Sequence, residues 1–178
     1  MSAEFRIAVV EGQQLSAEER SNIITMSSRA FEEDLKPMFD VFSQPTHVLG
    51  YQAGKLVSHA LWITRWLELN HNRMLRTAYV EAVATEEAYR RRGYASLIMR
   101  RVQKEIQDYQ LGALSPFRVG FYERLGWELW RGPLFIRTET GEIPSPTDEE
   151  VMIFRLPNTP DLDLTAALSA EWREGEVW

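Results

Sequence analysis

Residues 79–99, Tyr-Val-Glu-Ala-Val-Ala-Thr-Glu-Glu-Ala-Tyr-Arg-Arg-Arg-Gly-Tyr-Ala-Ser-Leu-Ile-Met, constrain the fold more than any other stretch of the chain. They read as an apolar strand, a short acidic loop and an Arg/Gly turn that opens an amphipathic helix. Beyond the turn, Ala95, Ile98, Met99, Val102, Ile106 and Tyr109 recur at spacings of three and four, which predicts one buried stripe. Arg100, Arg101, Lys104 and Asp108 fall largely outside that stripe. A strand that ends at a glycine turn and feeds a helix leaves several backbone N–H groups pointing at one spot. With the helix dipole behind them, they form an anion site suited to a pyrophosphate. Gly93 and Ala95 allow close approach to the backbone, and the arginines add charge.

An isolated Arg-x-x-Gly-x-Ala is more often a solvated loop, so context has to carry the assignment. Three arginines also suit nucleic acid, yet the chain carries net charge −6 and no second basic cluster, which argues against the broad positive face that nucleic acid needs. The flanking strand and helix favour a phosphate-bearing cofactor instead.

Arg90-Arg91-Arg92-Gly93-Tyr94-Ala95 resembles the Arg/Gln-x-x-Gly-x-Gly/Ala element with which the GNAT superfamily of N-acetyltransferases grips acetyl-CoA. Gly120-Phe121-Tyr122-Glu123-Arg124-Leu125-Gly126-Trp127 resembles its second element, at the expected separation and in the expected order. The runs at 79–84, Tyr109-Gln110-Leu111-Gly112-Ala113-Leu114-Ser115, and the C-terminal Glu171-Trp172-Arg173-Glu174-Gly175-Glu176-Val177-Trp178 are similar to the aminoglycoside 2′-N-acetyltransferases. The resemblance extends from about residue 30 to the chain end. It implies an α/β fold of the GNAT type: a mixed, mostly antiparallel sheet flanked by helices, with a splayed strand pair binding acetyl-CoA.

The global features agree with one compact enzyme domain over 1–178, whose tail at 157–178 docks near the active site. A chain of 178 residues buries a sizeable core. It has no apolar stretch of membrane-spanning length, and its N-terminal residues lack a signal peptide's regions, so a cytoplasmic protein is expected. The absence of cysteine excludes disulfides, thiolate metal sites and a cysteinyl intermediate, leaving direct attack as the simpler route. His47, His59 and His71 show no metal spacing, so no metal is expected, and each reads as a strand or turn residue.

Strands are predicted over 5–10, 47–52, 56–69, 74–84, 111–114, 127–130 and 152–156, with turns at Ala53-Gly54 and Asn70-His71-Asn72. A helix capped by Ser16, with acids in its first turn, runs to about Phe31. An irregular or helical piece at 34–42 is broken by Pro37. A second short helix covers 116–125 with Gly126 as its cap. Residues 138–150 read as a polar loop, and the tail as irregular with a short helix near 165–170.

An ammonium must lose a proton before it attacks a thioester, and a carboxylate can assist directly or through water. Glu81, on the strand feeding the turn, is either that group or an ordinary solvent-facing strand residue. The resemblance implies the former, as catalytic base and acceptor ligand. It also implies that the main chain of Val83, Ala84 and Thr85 pairs with the pantetheine arm, and that Arg90, Arg91, Arg92, Gly93, Tyr94, Ala95 and Ser96 hold the pyrophosphate. Tyr122 takes the general-acid position, although such a tyrosine is elsewhere a core aromatic. Ser115 either bonds substrate or cofactor, or caps the helix after it.

From Thr138 on, acids far outnumber Arg155 and Arg173, a bias that is ordinarily solvated surface but fits a polycationic acceptor. The resemblance gives Asp34, Glu81, Ala82, Ser115, Asp148, Glu149 and the α-carboxylate of Trp178 as acceptor-binding positions. Two positions depart from it: Ala82 stands where relatives often have glycine, and Glu149 where aspartate is typical. Trp172, Val177 and Trp178 are expected to dock, with Gly175 as the bend. Trp178 alternatively only seals the core or a dimer contact. The expected partners are a cationic small-molecule amine and a second copy of the chain in a homodimer, not nucleic acid or membrane. Another amine (a polyamine, peptide terminus or cell-wall amino sugar) and a catalytically silent CoA-binding module are the competing readings.

Overall fold

The structure is a computed structural model that describes residues 4–178; residues 1–3, part of the N-terminal segment read for a leader, lie outside it. Two compact units organise the chain. One comprises residues up to Ile63 together with Val80–Lys104, and the other Thr64–Tyr79 together with Glu105–Trp178. The pairing is mixed and mostly antiparallel, the α/β class expected from the sequence.

The first unit contains β1 (Phe5–Glu11), α1 (Ala17–Phe31), α2 (Lys36–Val41), β2 (Thr46–Gln52), the first part of β3 (Lys55–Leu69), the last part of β4 (Arg73–Thr85) and α3 (Tyr94–Glu105). α1 starts where the sequence predicts. Ser16 accepts from the Glu19 N–H, and the Glu19 carboxylate accepts from the Ser16 N–H, satisfying two orphan donors reciprocally. β2 pairs antiparallel with both β1 and β3. A Cβ on Gly50 of β2 would stand 2.5 Å from the Phe5 ring, which would have to shift to admit it. The Phe5 ring stacks on Tyr94 at 4.1 Å, and the Tyr94 hydroxyl donates to Gln52 at 2.8 Å, fixing the first residue of α3. Pro37 does not break α2 but opens it, since a missing N–H costs nothing in the first turn. α3 ends at Glu105, earlier than its apolar stripe, yet Ile106 and Tyr109 are buried as the stripe requires.

The second unit adds β5 (Leu111–Leu114), α4 (Val119–Glu123), β6 (Glu128–Leu129), β7 (Leu134–Thr138), β8 (Gly141–Pro144), β9 (Met152–Arg155) and β10 (Leu168–Glu171). Its strands lie in the order β6-β9-β5-β4-β3-β10-β7-β8. β4 and β5 run parallel over Thr77–Leu111 to Tyr79–Ala113, and β10 is parallel to β7.

Three expectations change here. The predicted helix at 165–170 is a turn that enters the strand β10 at Leu168, because pairing with β3 and β7 overrides the helix propensity of an alanine-rich run. The polar loop at 138–150 contains β8, which closes a hairpin on β7. The helix at 116–125 shrinks to α4, because Arg118 stays extended; Ser115 therefore lies outside its cap. Gly126 beyond it takes φ +88°, as a helix-ending glycine does.

Candidate active site

In the first unit, the end of β4 is held by side chains. Glu81, Val83 and Thr85 are half-buried, alternating with buried Ala82 and Ala84. The Ala82 carbonyl lies 3.1 Å from His59 Nδ1, the Ala84 carbonyl accepts from Ser58 Oγ at 3.1 Å, and the Thr85 carbonyl from Arg90 Nε at 3.3 Å. Thr85 Oγ1 is also 2.8 Å from Ser58 Oγ. Ala82 takes φ +51°, a left-handed conformation that glycine adopts freely and alanine does not.

The Arg/Gly turn follows. Arg90 Nη2 donates to the Ala30 carbonyl at 2.9 Å, tying the turn to α1, while Arg92 donates to the Ala88 carbonyl at 3.2 Å and sits over the Tyr89 ring. Two of the three arginines thus brace the loop. Arg91 (φ +63°) and Gly93 (φ +80°) are both left-handed, the kind of turn in which successive N–H groups converge on an anion. No protein atom lies within 4 Å of where a Gly93 Cβ would stand, so the turn is open at that point. Tyr94, Ala95 and Ser96, the first residues of α3, are half-buried. Asp34 lies exposed between α1 and α2, its Oδ1 accepting from the Lys36 N–H at 3.0 Å.

In the second unit, Tyr122 is buried on α4, edge-on to Phe121 and Trp127. Burial pushes its phenol up to about 12, so it holds its proton across the physiological range. Ser115 is exposed just past β5. Glu149 is half-buried and Asp148 exposed. Burial first, then the charges of Glu176 and Asp148, raise the Glu149 carboxyl above its ordinary value. Glu176 therefore belongs with these acids; the sequence shows it only as one among many.

The two tail tryptophans differ. Trp178 is 2% exposed and its indole N–H donates to Ser145 Oγ at 2.7 Å, but Trp172 is 61% exposed and does not dock. Gly175 supplies the bend at φ +81°. Arg65, buried in β3, was missed. Its Nε and Nη2 donate to the carboxylate and carbonyl of Glu171 at 2.9 Å each, and Nη1 donates to the Val177 carbonyl. The guanidinium lies over the Tyr79 ring at 4.7 Å. A lone arginine inside an apolar strand run was the available signal. Among the described residues, no group of three or more His, Cys, Asp or Glu could hold a metal, and no helix is long and apolar enough to cross a membrane.

The profile of the family described as Acetyltransferase (GNAT) domain matches residues 12–130, well over half of the sequence, and the chain belongs to that family of N-acetyltransferases. It is 34% identical over 177 residues to the aminoglycoside 2′-N-acetyltransferase of Mycolicibacterium fortuitum, covering 96% of this chain and 90% of that protein. Its fold is similar to that of YhbS from Escherichia coli, solved with CoA, at a TM-score of 0.66 and 15% identity over 98% of this chain and 93% of that one. Eis1 from Mycobacterium abscessus matches at a TM-score of 0.63 and 17% identity over 74% of this chain. The chain spans only 33% of that structure's length, as it does of the probable N-acyltransferase from Enterococcus faecalis.

Proposed function

We propose that this N-acetyltransferase moves the acetyl group of acetyl-CoA directly onto a primary amine of a cationic acceptor, the 2′-amine of an aminoglycoside. The observation that supports the acceptor class is that, after burial, the charges of Glu176 and Asp148 act on the half-buried Glu149 carboxyl, an acidic grouping that suits a polycation. The full-length likeness to an aminoglycoside 2′-N-acetyltransferase supports the same choice. Asp34, Glu81, Ala82, Ser115 and the Trp178 carboxylate complete the acceptor ligands.

In this reading the N–H groups of the Arg91–Gly93 turn and the start of α3 take the pyrophosphate. Main chain at Val83, Ala84 and Thr85 takes the pantetheine. Glu81 draws the proton from the ammonium, directly or through one water. The freed amine attacks the thioester carbon, the C–S bond breaks, and the second proton, shed by the acylated nitrogen, ends through water on the departing thiolate. A phenol at about 12 cannot give its proton downhill to a thiolate of ordinary thiol range, so Tyr122 acts mainly as a hydrogen-bond donor that stabilises the departing sulfur. One catalytic domain, a homodimer and a cytoplasmic location belong to the same reading.

The test is thiol release from acetyl-CoA across aminoglycosides, polyamines, peptides and amino sugars, followed by locating the acetyl group by NMR. Acetylation at the 2′-amine is expected. Turnover confined to another amine class would replace the acceptor, and no turnover with any amine would refute the reading.

A further inference from the structure

His47 and His59 have no role in the chemistry above, yet they are 2% and 0% exposed. His47 faces Leu61 and Leu49 faces His59 across β2 and β3, so the imidazoles are diagonal neighbours on one face. His47 Nδ1 lies 3.0 Å from His59 Nε2, and His59 Nδ1 lies 3.1 Å from the Ala82 carbonyl oxygen, with Ser27 Oγ at 3.5 Å. A carbonyl only accepts, so His59 Nδ1 carries the hydrogen. In the neutral ring Nε2 then accepts, and its donor is His47 Nδ1–H. The bonds therefore run in one direction, from His47 through His59 to Ala82. The Phe39 ring packs against both imidazoles, at 6.4 Å and 6.0 Å. The chain of bonds ends on a residue held at φ +51°, between Glu81 and Val83. Two leucines would fill this space without desolvating four ring nitrogens.

We infer that His59 is a positioning residue for acetyl transfer: its Nδ1–H anchors the left-handed Ala82, which sets the direction of the Glu81 carboxylate and the Val83 N–H, and His47 fixes which ring nitrogen carries that hydrogen. This rests on the role proposed for Glu81. Glycine at 82 would hold the same φ unaided. Alanine does so only while its carbonyl is tied, which makes the anchor a requirement of this particular sequence.

The experiment compares His59→Leu, His59→Asn and His59→Leu combined with Ala82→Gly in two-substrate kinetics. His59→Leu should lower kcat about ten- to a hundredfold, as a misplaced catalytic group does, with acetyl-CoA KM changed less than about twofold. His59→Asn, whose amide N–H occupies the Nδ1 position, should stay near wild type. Adding Ala82→Gly to His59→Leu should restore most of kcat. A folded His59→Leu with wild-type kcat overturns the inference, as does a loss that neither Asn nor Ala82→Gly relieves, which is core packing alone. If His59→Leu does not fold, His59→Gln, whose amide reaches the Nε2 position instead, carries the same comparison. A wild-type protein that acetylates no amine overturns the functional reading and the catalytic half of this one. Melting temperatures then decide the anchor, because Ala82→Gly must stabilise the His59 variant more than it stabilises wild type, and equal gains refute it.

Discussion

The buried imidazole pair gives the protein an acid limb in stability with a calculable size. Burial first, then the charge of Arg20, hold His47 down at about 4 against an ordinary 6.5. His59 is also pushed well below that value by burial and by His47, against the opposing pull of the Ala82 carbonyl. A folded state that binds protons more weakly than the unfolded chain has its full stability above about pH 6.5 and loses it as pH falls toward the folded value. For His47 alone the loss is about 2 kcal/mol at roughly pH 5 and about 3 kcal/mol below pH 4. The first figure is ~4–8 °C in melting temperature for a chain of this size. His47→Asn keeps a donor N–H toward His59 but does not titrate. Urea unfolding at a series of pH values should show wild type losing about 2 kcal/mol more than His47→Asn between about pH 7 and pH 5. Glu149, whose raised carboxyl acts in the opposite sense, is common to both proteins and cancels in the difference. Identical pH dependence in the two would show that the imidazoles are not held neutral, and would refute the tautomer argument with it.

Gly93→Val should raise acetyl-CoA KM strongly while the fold survives: no protein atom opposes the side chain, but it occupies the phosphate approach and strains a φ of +80°. Unchanged acetyl-CoA affinity in the folded variant removes the turn from the cofactor site. Tyr122→Phe should lower kcat about tenfold to a thousandfold with little change in acetyl-CoA KM, as for a donor that acts in the transition state. Because burial keeps the phenol at about 12, the wild-type rate should show no limb from this group below about pH 11, and one that vanishes in the variant contradicts the assignment. Adding one residue after Trp178 should raise acceptor KM while acetyl-CoA KM and the melting temperature barely move. Stability lost with acceptor binding intact would make the tail purely structural. Arg65→Met should cost about 2–4 kcal/mol in denaturant unfolding, since it removes three hydrogen bonds from a buried cation, and should reproduce the acceptor defect of the extended chain.

The parts of the fold legible in the sequence are those whose signal is local. The Ser16–Glu19 box, the Ala53-Gly54 and Asn70-His71 turns, and the buried run Leu111–Leu114 each follow from residues within a few positions of one another. The errors fall where a distant partner decides. Residues 165–170 favour helix until β3 and β7 offer hydrogen bonds on both sides, and 141–144 read as polar loop because the strand they form is exposed throughout. The tail divides in the same way. Trp172 and Trp178 look alike in sequence, but only Trp178 lies beyond the carbonyl that Arg65 holds at Val177.

At the site, residue type was legible and backbone conformation was not, and the conformation changes what the residues do. Three consecutive arginines suggest a cationic grip on phosphate. Arg90 and Arg92 also donate to main-chain carbonyls, and the left-handed conformations of the turn fall at Arg91 and Gly93. A left-handed conformation recurs at Ala82, where a strand that alternates regularly on paper turns through φ +51° between Glu81 and Val83. Positions of this kind are costly for any residue but glycine. At Ala82 the carbonyl meets His59 Nδ1, from twenty-three positions earlier in the sequence. A polar residue inside an apolar strand here meets the carbonyl of a distant residue, and Ser58, which meets the Ala84 carbonyl from the neighbouring position on β3, does the same.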